Sequence, residues 1–218
     1  MERPAKSAMS GPQTRATRLR KRAARPSEAS DGRVRRGERS RDAIVQALFE
    51  LIGAGAITQT AQQVAERAGV GLRSVFRHFR DMESLFAEVD ARLLREVKPF
   101  ASEPPVSGPL ARRVVELAAR RAQLFERIAP YKRAGNAQRA ASPFLRARHA
   151  ELVRRLRAAL WLWLPELEHA PAEVAAAIEL VSSFEAWDRL RGDQRLSRER
   201  AEATLARAVL ALIGPFGS

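Results

Sequence analysis

The residue types that most often carry chemistry are sparse in this sequence of 218 residues. Cysteine is absent, which excludes disulfides, thiolate metal ligands and a cysteine nucleophile. The three histidines, His78, His149 and His169, stand far apart, and no second ligand follows His78 at the fourth position. Neither a nucleophile with a neighbouring base nor a glycine-rich phosphate loop occurs at a usable spacing. We therefore predict no catalytic residue, no metal and no cofactor, and we do not expect an enzyme.

One short segment does contain arginines at a spacing that suits nucleic acid. In GLRSVFRHF, residues 71–79, Arg73 and Arg77 lie about one helical turn apart. An arginine can bond the edge of a guanine or a phosphate, so we predict a base contact for Arg73 and a phosphate contact for Arg77. The helical period places Leu72, Arg73, Ser74 and Arg77 outward, and Val75, Phe76 and Phe79 inward.

The residues just before this segment predict the element that positions it. Thr60 and Gln63 have the spacing of a capping box, and Gly69 can end the helix after little more than two turns. Its inner face consists of Val64, Ala65 and Ala68. Two short helices joined at a steep angle by a glycine-containing turn form a helix-turn-helix, whose second helix enters a major groove.

An amphipathic helix precedes this pair, in SRDAIVQALFELIGAGA. Ser40 is its predicted N-cap, and Gly53 and Gly55 supply the stop. One face carries Ile44, Val45, Leu48, Leu51 and Ile52.

The order SRDAIVQAL, Gly55, Thr60, VAERAGVG, SVFRHF and ESLF, over residues 40–86, resembles the DNA-binding region of the TetR (tetracycline repressor) family. The match is specific because several elements keep their spacing. The resemblance implies an all-α homodimeric repressor with an N-terminal three-helix DNA-binding domain and an all-helical ligand-binding and dimerisation domain. It implies DNA contacts at Arg41, Thr60, Gln62, Gly71, Leu72, Arg73, Ser74, Phe76, Arg77 and His78.

Three positions depart from the family pattern. Gly71 stands where Ser or Thr usually caps the second helix, and Gly caps less well by a few tenths of a kcal/mol, as an order of magnitude. Phe76 replaces a Tyr whose hydroxyl bonds a phosphate, and Met82 replaces a Lys that bonds another. The domain therefore lacks two backbone contacts that the resemblance implies.

A basic arm, residues 1–37, is predicted to be disordered because it is rich in Arg, Ser, Pro and Gly. It contains 11 Lys and Arg against 3 Asp and Glu, a net charge of +8, whereas residues 38–99 have 9 of each sign. The arm could supply the missing phosphate contacts. The alternative is a solvated tail that reflects a GC-biased source, and composition favours neither interpretation.

The predicted domains are the arm, a DNA-binding domain at 38–98 and a helical domain at 99–218. Asp81 is the predicted N-cap of a fourth helix that stops before Pro99, and a proline-rich loop follows from Lys98 to Pro109. Further helices are predicted from Pro109 to about Ile128, from Ser142-Pro143 to Pro165, from Pro171 to about Leu190, and from Ser197 onward.

The last two helices are the predicted dimer interface, since the resemblance implies a four-helix packing of two subunits there. The candidate interface residues are Val174, Ile178, Val181, Phe184, Trp187, Leu205, Val209 and Leu212. The alternative is ordinary intramolecular core. Candidate residues for an apolar ligand pocket are Phe125, Tyr131, Phe144, Trp161 and Trp163, although aromatic residues at helical spacing are more often core.

Together these features predict a ligand-responsive, sequence-specific transcriptional regulator. We expect it to be a repressor that binds a palindromic double-stranded DNA operator as a homodimer and responds to a small, apolar effector. The alternative is a basic nucleic-acid-binding adaptor or packing protein without sequence specificity. No run approaches the roughly 18 apolar residues of a membrane span and no signal peptide is evident, so we predict a cytoplasmic protein without a membrane partner.

Overall fold

The structure, a computed structural model, describes residues 28–101 and 107–216, with side chains described for 34–98 and 107–216. The chain divides into two units, Met1–Arg36 and Gly37–Ser218. The first unit is described only at residues 28–36, as the beginning of a helix. Over the described ranges the chain is helical and contains no strand, which confirms the all-α prediction. The α-helices are α1 (Glu28–Gly53), α2 (Ala61–Ala68), α3 (Leu72–His78), α4 (Met82–Ala101), α5 (Leu110–Gln138), α6 (Pro143–Trp163), α7 (Ala172–Val181), α8 (Phe184–Asp188) and α9 (Arg198–Ile213).

The first four helices share one hydrophobic core. Its buried members include Ile44 and Leu48 of α1, Val64 of α2, Phe79 at the end of α3, and Leu85 of α4. The C-terminal half of α5 adds Ala134 to this core, with Tyr131 packed against it. The helices of the N-terminal core are therefore packed directly against a helix that continues into the second half of the chain.

A second core lies around the N-terminal part of α5, which packs against α4, α6, α8 and α9. Phe125 is fully buried at its centre, and its ring meets that of Phe184 edge to face at 5.7 Å. Arg121 is also buried, and its guanidinium donates to the carbonyl oxygens of Ser182 and Leu156. Burial lowers the pKa of Arg121 to about 10, and the two carbonyls satisfy donors that would otherwise be buried without partners.

Two predicted helix ends are wrong in the N-terminal half. Helix α1 begins at Glu28, so Ser40 lies inside the helix and is not its N-cap. Residues 28–37 of the predicted disordered arm are likewise helical, and the rest of the arm lies outside the described residues. Helix α4 continues through Pro99 to Ala101; a proline in a last turn removes one backbone donor and keeps a helical φ. The caps at Asp81 and Ser197 are confirmed, because Asp81 Oδ1 and Ser197 Oγ accept from backbone N–H groups three residues on.

Two further differences concern the later helices. Helix α5 runs through Pro130 to Gln138, ten residues beyond the predicted end, because its apolar face continues into the N-terminal core. The helix predicted from Pro171 to about Leu190 is interrupted at Ser182, and Ser183 caps the separate helix α8. Burial in tertiary packing outweighs local propensity in the first case. In the part of the chain that the structure describes, no helix has the length and apolar character that crossing a bilayer requires.

Candidate nucleic-acid interface

The turn between α2 and α3 is fixed by local hydrogen bonds. The N–H of Gln63 donates to Thr60 Oγ1 at 3.2 Å, and the N–H of Thr60 donates to Gln63 Oε1 at 2.9 Å, which is the predicted capping box. Gly69 ends α2 in the left-handed region, with φ 66°, where a side chain would add strain. Because both ends of α2 are fixed in this way, the direction in which α3 leaves the turn is defined by backbone geometry.

Helix α3 is anchored by its inner face. Val75 and Phe79, four positions apart, are buried in the N-terminal core. Phe76 is 51% exposed, so the prediction that it packs inward is wrong; one position along a helix turns the side chain by about 100° away from Val75. Leu72 is 40% exposed, and Arg73 and Arg77 are exposed beside these two apolar side chains. The outer face of α3 thus consists of two neighbouring rows, one apolar and one cationic.

Among the residues that the structure describes, the two arginines on this face, Arg73 and Arg77, form neither a hydrogen bond nor an ion pair. Both guanidinium groups can therefore bind an external acceptor without breaking a contact of the protein. An arginine fork matches the two acceptors of a guanine edge or the oxygens of a phosphate.

Other predicted DNA contacts already have partners in the protein. Arg41 pairs with Glu88, with Nη2 and Oε1 2.5 Å apart, and its guanidinium carbon lies 5.1 Å from the centre of the Phe79 ring. The side chain of Thr60 accepts the capping-box hydrogen bond from the N–H of Gln63, and the side chain of Gln62 donates to Glu66 Oε1 at 2.7 Å. Gly71 begins α3 without a side-chain cap. The DNA contacts of Arg41, Thr60, Gln62 and Gly71 remain predictions. Met82, which replaces a phosphate-binding Lys of the family pattern, packs against the N-terminal core.

His78 sits at the end of α3 with a partly buried ring. Its Nε2 atom is buried and has no hydrogen-bond partner in the described part of the chain. Burial lowers the pKa of His78, and the charges of Arg77 and Arg41 lower it further. The ring is therefore held neutral at pH 7. The residues that the structure describes contain no group of three His, Asp or Glu side chains placed to hold a metal ion.

A fixed bend between two short helices, with a second helix that exposes unpaired arginines, defines a helix-turn-helix DNA-binding domain. Residues 44–89 match the family model described as bacterial regulatory proteins, tetR family. The helix-turn-helix region of the chain is therefore similar to the TetR family of transcriptional regulators, as its sequence predicted.

Comparison with solved structures extends the likeness in fold beyond this domain. A transcriptional regulator from Rhodococcus sp. Rha1 is similar with a TM-score of 0.62 and 24% identity, over 80% of this chain and 96% of that one. A TetR-family transcriptional regulator from Streptomyces coelicolor is similar with a TM-score of 0.63 and 17% identity, over 82% of each chain. No curated protein matches the chain. At these identities the structures show a common fold.

The residues predicted for the dimer interface lie mainly inside the chain. Five of them, Ile178, Phe184, Trp187, Leu205 and Val209, are buried in the second core, and Val174, Val181 and Leu212 pack against it. The prediction that these five residues are exposed to a partner is wrong, because they are buried in the core of their own chain, where α7 packs against α8 and α9, and α8 and α9 pack against α5. The outer face of α7 instead carries Leu180, which is 67% exposed.

A cavity of about 150 Å³ lies between α1, α4, α5 and α6. Of the five predicted pocket residues only Tyr131 lines it. Phe125 and Trp163 are buried in the core, which is the alternative that their helical spacing left open. Phe144 and Trp161 are partly buried and do not line the cavity. The walls are mainly aliphatic and include Ile52, Val89, Leu93, Leu124, Ile128 and Leu152. Gly135, in the last turn of α5, also lines the cavity.

Polar groups are concentrated at one side of this cavity. Lys132 Nζ lies 2.9 Å from Asn136 Oδ1, 2.6 Å from His149 Nδ1 and 3.3 Å from Glu185 Oε1. Arg148 Nε lies 2.8 Å from Asp90 Oδ2. Burial lowers the pKa of Lys132 and of His149, and burial raises the pKa of Asp90 against the opposing effect of Arg148.

Proposed function

We propose that this protein is a ligand-responsive repressor of the TetR family that binds a palindromic operator as a homodimer. The observation that carries the proposal is the outer face of α3, where Arg73 and Arg77 are exposed and unpaired on a helix whose inner face is fixed in the core. Arg73, nearer the start of the helix, is placed to reach base edges, and Arg77 a phosphate. This role belongs to the compartment that contains the DNA, the cytoplasm of a bacterium.

The homodimer is part of the proposal because one α3 covers only one half-site. Its interface would use the outer face of α7 and α9, since the inner faces of both helices are occupied by the chain's own core. Leu180 provides exposed apolar area on α7, and exposed alanines lie on both helices, at Ala176 and Ala211. Small side chains allow two helices to approach closely, and a twofold axis would make this surface self-complementary.

The cavity supports a response to a ligand. It is lined by Ile52 of α1 and by Phe86 and Val89 of α4, and these residues also pack in or against the core that holds α2 and α3. An occupant would therefore contact helices of the DNA-binding core and helices of the C-terminal domain together. A ligand that binds better when the two α3 helices are wrongly spaced would lower DNA affinity, and DNA would lower ligand affinity by the same factor.

Selection of bound fragments from random DNA, using the full chain, tests this function. We expect an inverted repeat whose half-sites are separated by about one helical turn, roughly 10 base pairs from centre to centre. At equal salt, the selected site should bind at least roughly a thousandfold more tightly than random DNA. Enrichment without a motif, together with equal affinities, would favour a basic protein that binds nucleic acid without sequence specificity.

A further inference from the structure

The cavity beside the DNA-binding core has an apolar body and a polar side that is rich in donors and poor in free acceptors. The acceptors there are already engaged, because Asn136 Oδ1 accepts from Lys132 and the Asp90 carboxylate is paired with Arg148. The donors are the guanidinium groups of Arg139 and Arg148 and one N–H of His149. This imbalance indicates the kind of group that the cavity can bind.

The proton on His149 can be placed from its neighbour. Lys132 Nζ lies 2.6 Å from Nδ1 of the ring, and an ammonium group can only donate. Nδ1 must therefore accept, which leaves the imidazole neutral with its proton on Nε2. The lowered pKa of His149, caused first by burial and then by Lys132, agrees with this tautomer. His149 thus offers a donor and not an acceptor to an occupant.

The charges at this side do not balance. Glu185 pairs with Lys132 and Asp90 pairs with Arg148, whereas the guanidinium of Arg139 contacts only the neutral amide oxygen of Asn136, at 3.4 Å. Arg139 has no carboxylate partner within the described residues. One positive charge at the wall of the cavity therefore lacks a counter-ion.

Arg148 adds a second donor. Its Nε is buried and forms an ion pair with Asp90 Oδ2 at 2.8 Å, but the N–H does not meet an acceptor in hydrogen-bond geometry among the described residues. An occupant that supplied an acceptor oxygen would give this N–H a directed hydrogen bond.

The volume limits the size of the occupant. A cavity of about 150 Å³ accommodates a single benzene ring or an apolar group of that size. The lining from α4, α5 and α6 is mainly aliphatic.

We propose that the cavity binds a small monocarboxylate whose apolar body is about the size of one six-membered ring, with its carboxylate between Arg139, Arg148 and the Nε2–H of His149. The assignment of this anion as the effector rests on the proposed function. The binding itself does not, because it is a property of the cavity without DNA.

Benzoate is the probe that fits this description, and nitrobenzene has nearly the same shape without a charge. Titration calorimetry on the full-length protein without DNA should show saturable binding of benzoate. Nitrobenzene should bind at least roughly tenfold more weakly, because its nitro group cannot form the charge-assisted hydrogen bonds of a carboxylate. Arg139→Gln should weaken benzoate binding by a similar factor and leave nitrobenzene unchanged. Arg139→Lys, which keeps the charge, should retain part of the affinity.

Arg154→Gln is the matched control, because Arg154 is an exposed arginine of α6 that pairs with Glu151 and does not line the cavity. It should bind benzoate like the wild type. The inference is overturned if benzoate does not bind, if nitrobenzene or the cation benzylammonium binds as well as benzoate, or if the two glutamine variants behave alike. Release of operator DNA by benzoate is a separate measurement. Binding without release would leave the anion site intact and count against its role as the effector site.

Discussion

Replacing Leu180 by Glu should dissociate the proposed homodimer without unfolding the chain. Leu180 is 67% exposed on α7 and is therefore hardly used by its own subunit. Full burial of a leucine side chain stabilises by about 1.5–3 kcal/mol, so burying the exposed two thirds in an interface would contribute about 1–2 kcal/mol. A twofold axis places two copies in the interface, which raises the contribution to about 2–4 kcal/mol.

That free energy sets the size of the expected effect. Losing it would raise the dimer dissociation constant roughly 30-fold to several hundredfold, and burying a new carboxylate from each subunit would raise it further. Sedimentation velocity over a range of protein concentrations measures this constant. Thermal unfolding monitored by circular dichroism should show helical content close to that of the wild type.

Two further substitutions make the experiment specific. Leu162→Glu is the matched control, because Leu162 is 65% exposed on α6, outside the proposed surface, and this variant should stay dimeric. Phe184→Glu, at a residue that the sequence suggested for the interface, should instead destabilise the folded chain because Phe184 is buried in its core. If Leu180→Glu dimerises like the wild type, or if Leu162→Glu dissociates equally, the outer face of α7 is not the interface.

Three other perturbations test separate parts of the molecule. Deleting residues 1–27, which carry a net charge of +7, should weaken binding to specific and random DNA together. The slope of log K against log salt should fall by about 0.9 for each phosphate that is no longer bound. An unchanged slope would show that the arm does not bind DNA. Gly69→Ala should destabilise the domain by about 1 kcal/mol in urea unfolding, because Gly69 has a φ of 66°, which strains any residue with a side chain. Unchanged stability would contradict the role of this left-handed turn. The pKa of His149 is lower in the folded chain than its unfolded value of 6.5. As the pH drops from 7 toward 5, the unfolded chain therefore binds more protons at this residue than the folded chain does, and the stability of the fold should fall. His149→Gln should reduce that fall, and an unaltered pH dependence would reject the contribution of His149.

The helix-turn-helix was predictable because its signals are local. The capping box at Thr60, the left-handed glycine at Gly69 and the inward Val75 each depend on residues within one or two turns. Phe76 was misplaced because two adjacent apolar residues on a short helix cannot both face the core, and periodicity alone did not decide between them. Tertiary packing also outweighs the tendency of Pro130 to end a helix, because α5 packs in both cores and stays helical through this residue.

The cavity and the dimer surface could not be predicted in the same way. An apolar stripe such as that of α7 shows that a face is buried but does not say whether the partner is the same chain or another. The cavity is formed by side chains from four helices, so that residues as far apart in the sequence as Ile52 and Leu152 line the same space. Its polar side depends on distances between α5 and α6, such as that between Lys132 and His149, which no sequence pattern reports.

The central claim is that the outer face of α3 reads DNA sequence, and base preference measured for matched arginine variants tests it most directly. Operator affinity and preference should be determined at fixed salt for the wild type, Arg73→Ala and Arg77→Ala, by selection and sequencing followed by titration of single-base variants. Arg73→Ala should lose preference at one position in each half-site, at a cost of about 1–3 kcal/mol, while Arg77→Ala should weaken all sequences alike. If both variants keep the affinity and the base preference of the wild type, α3 is not the element that reads the DNA.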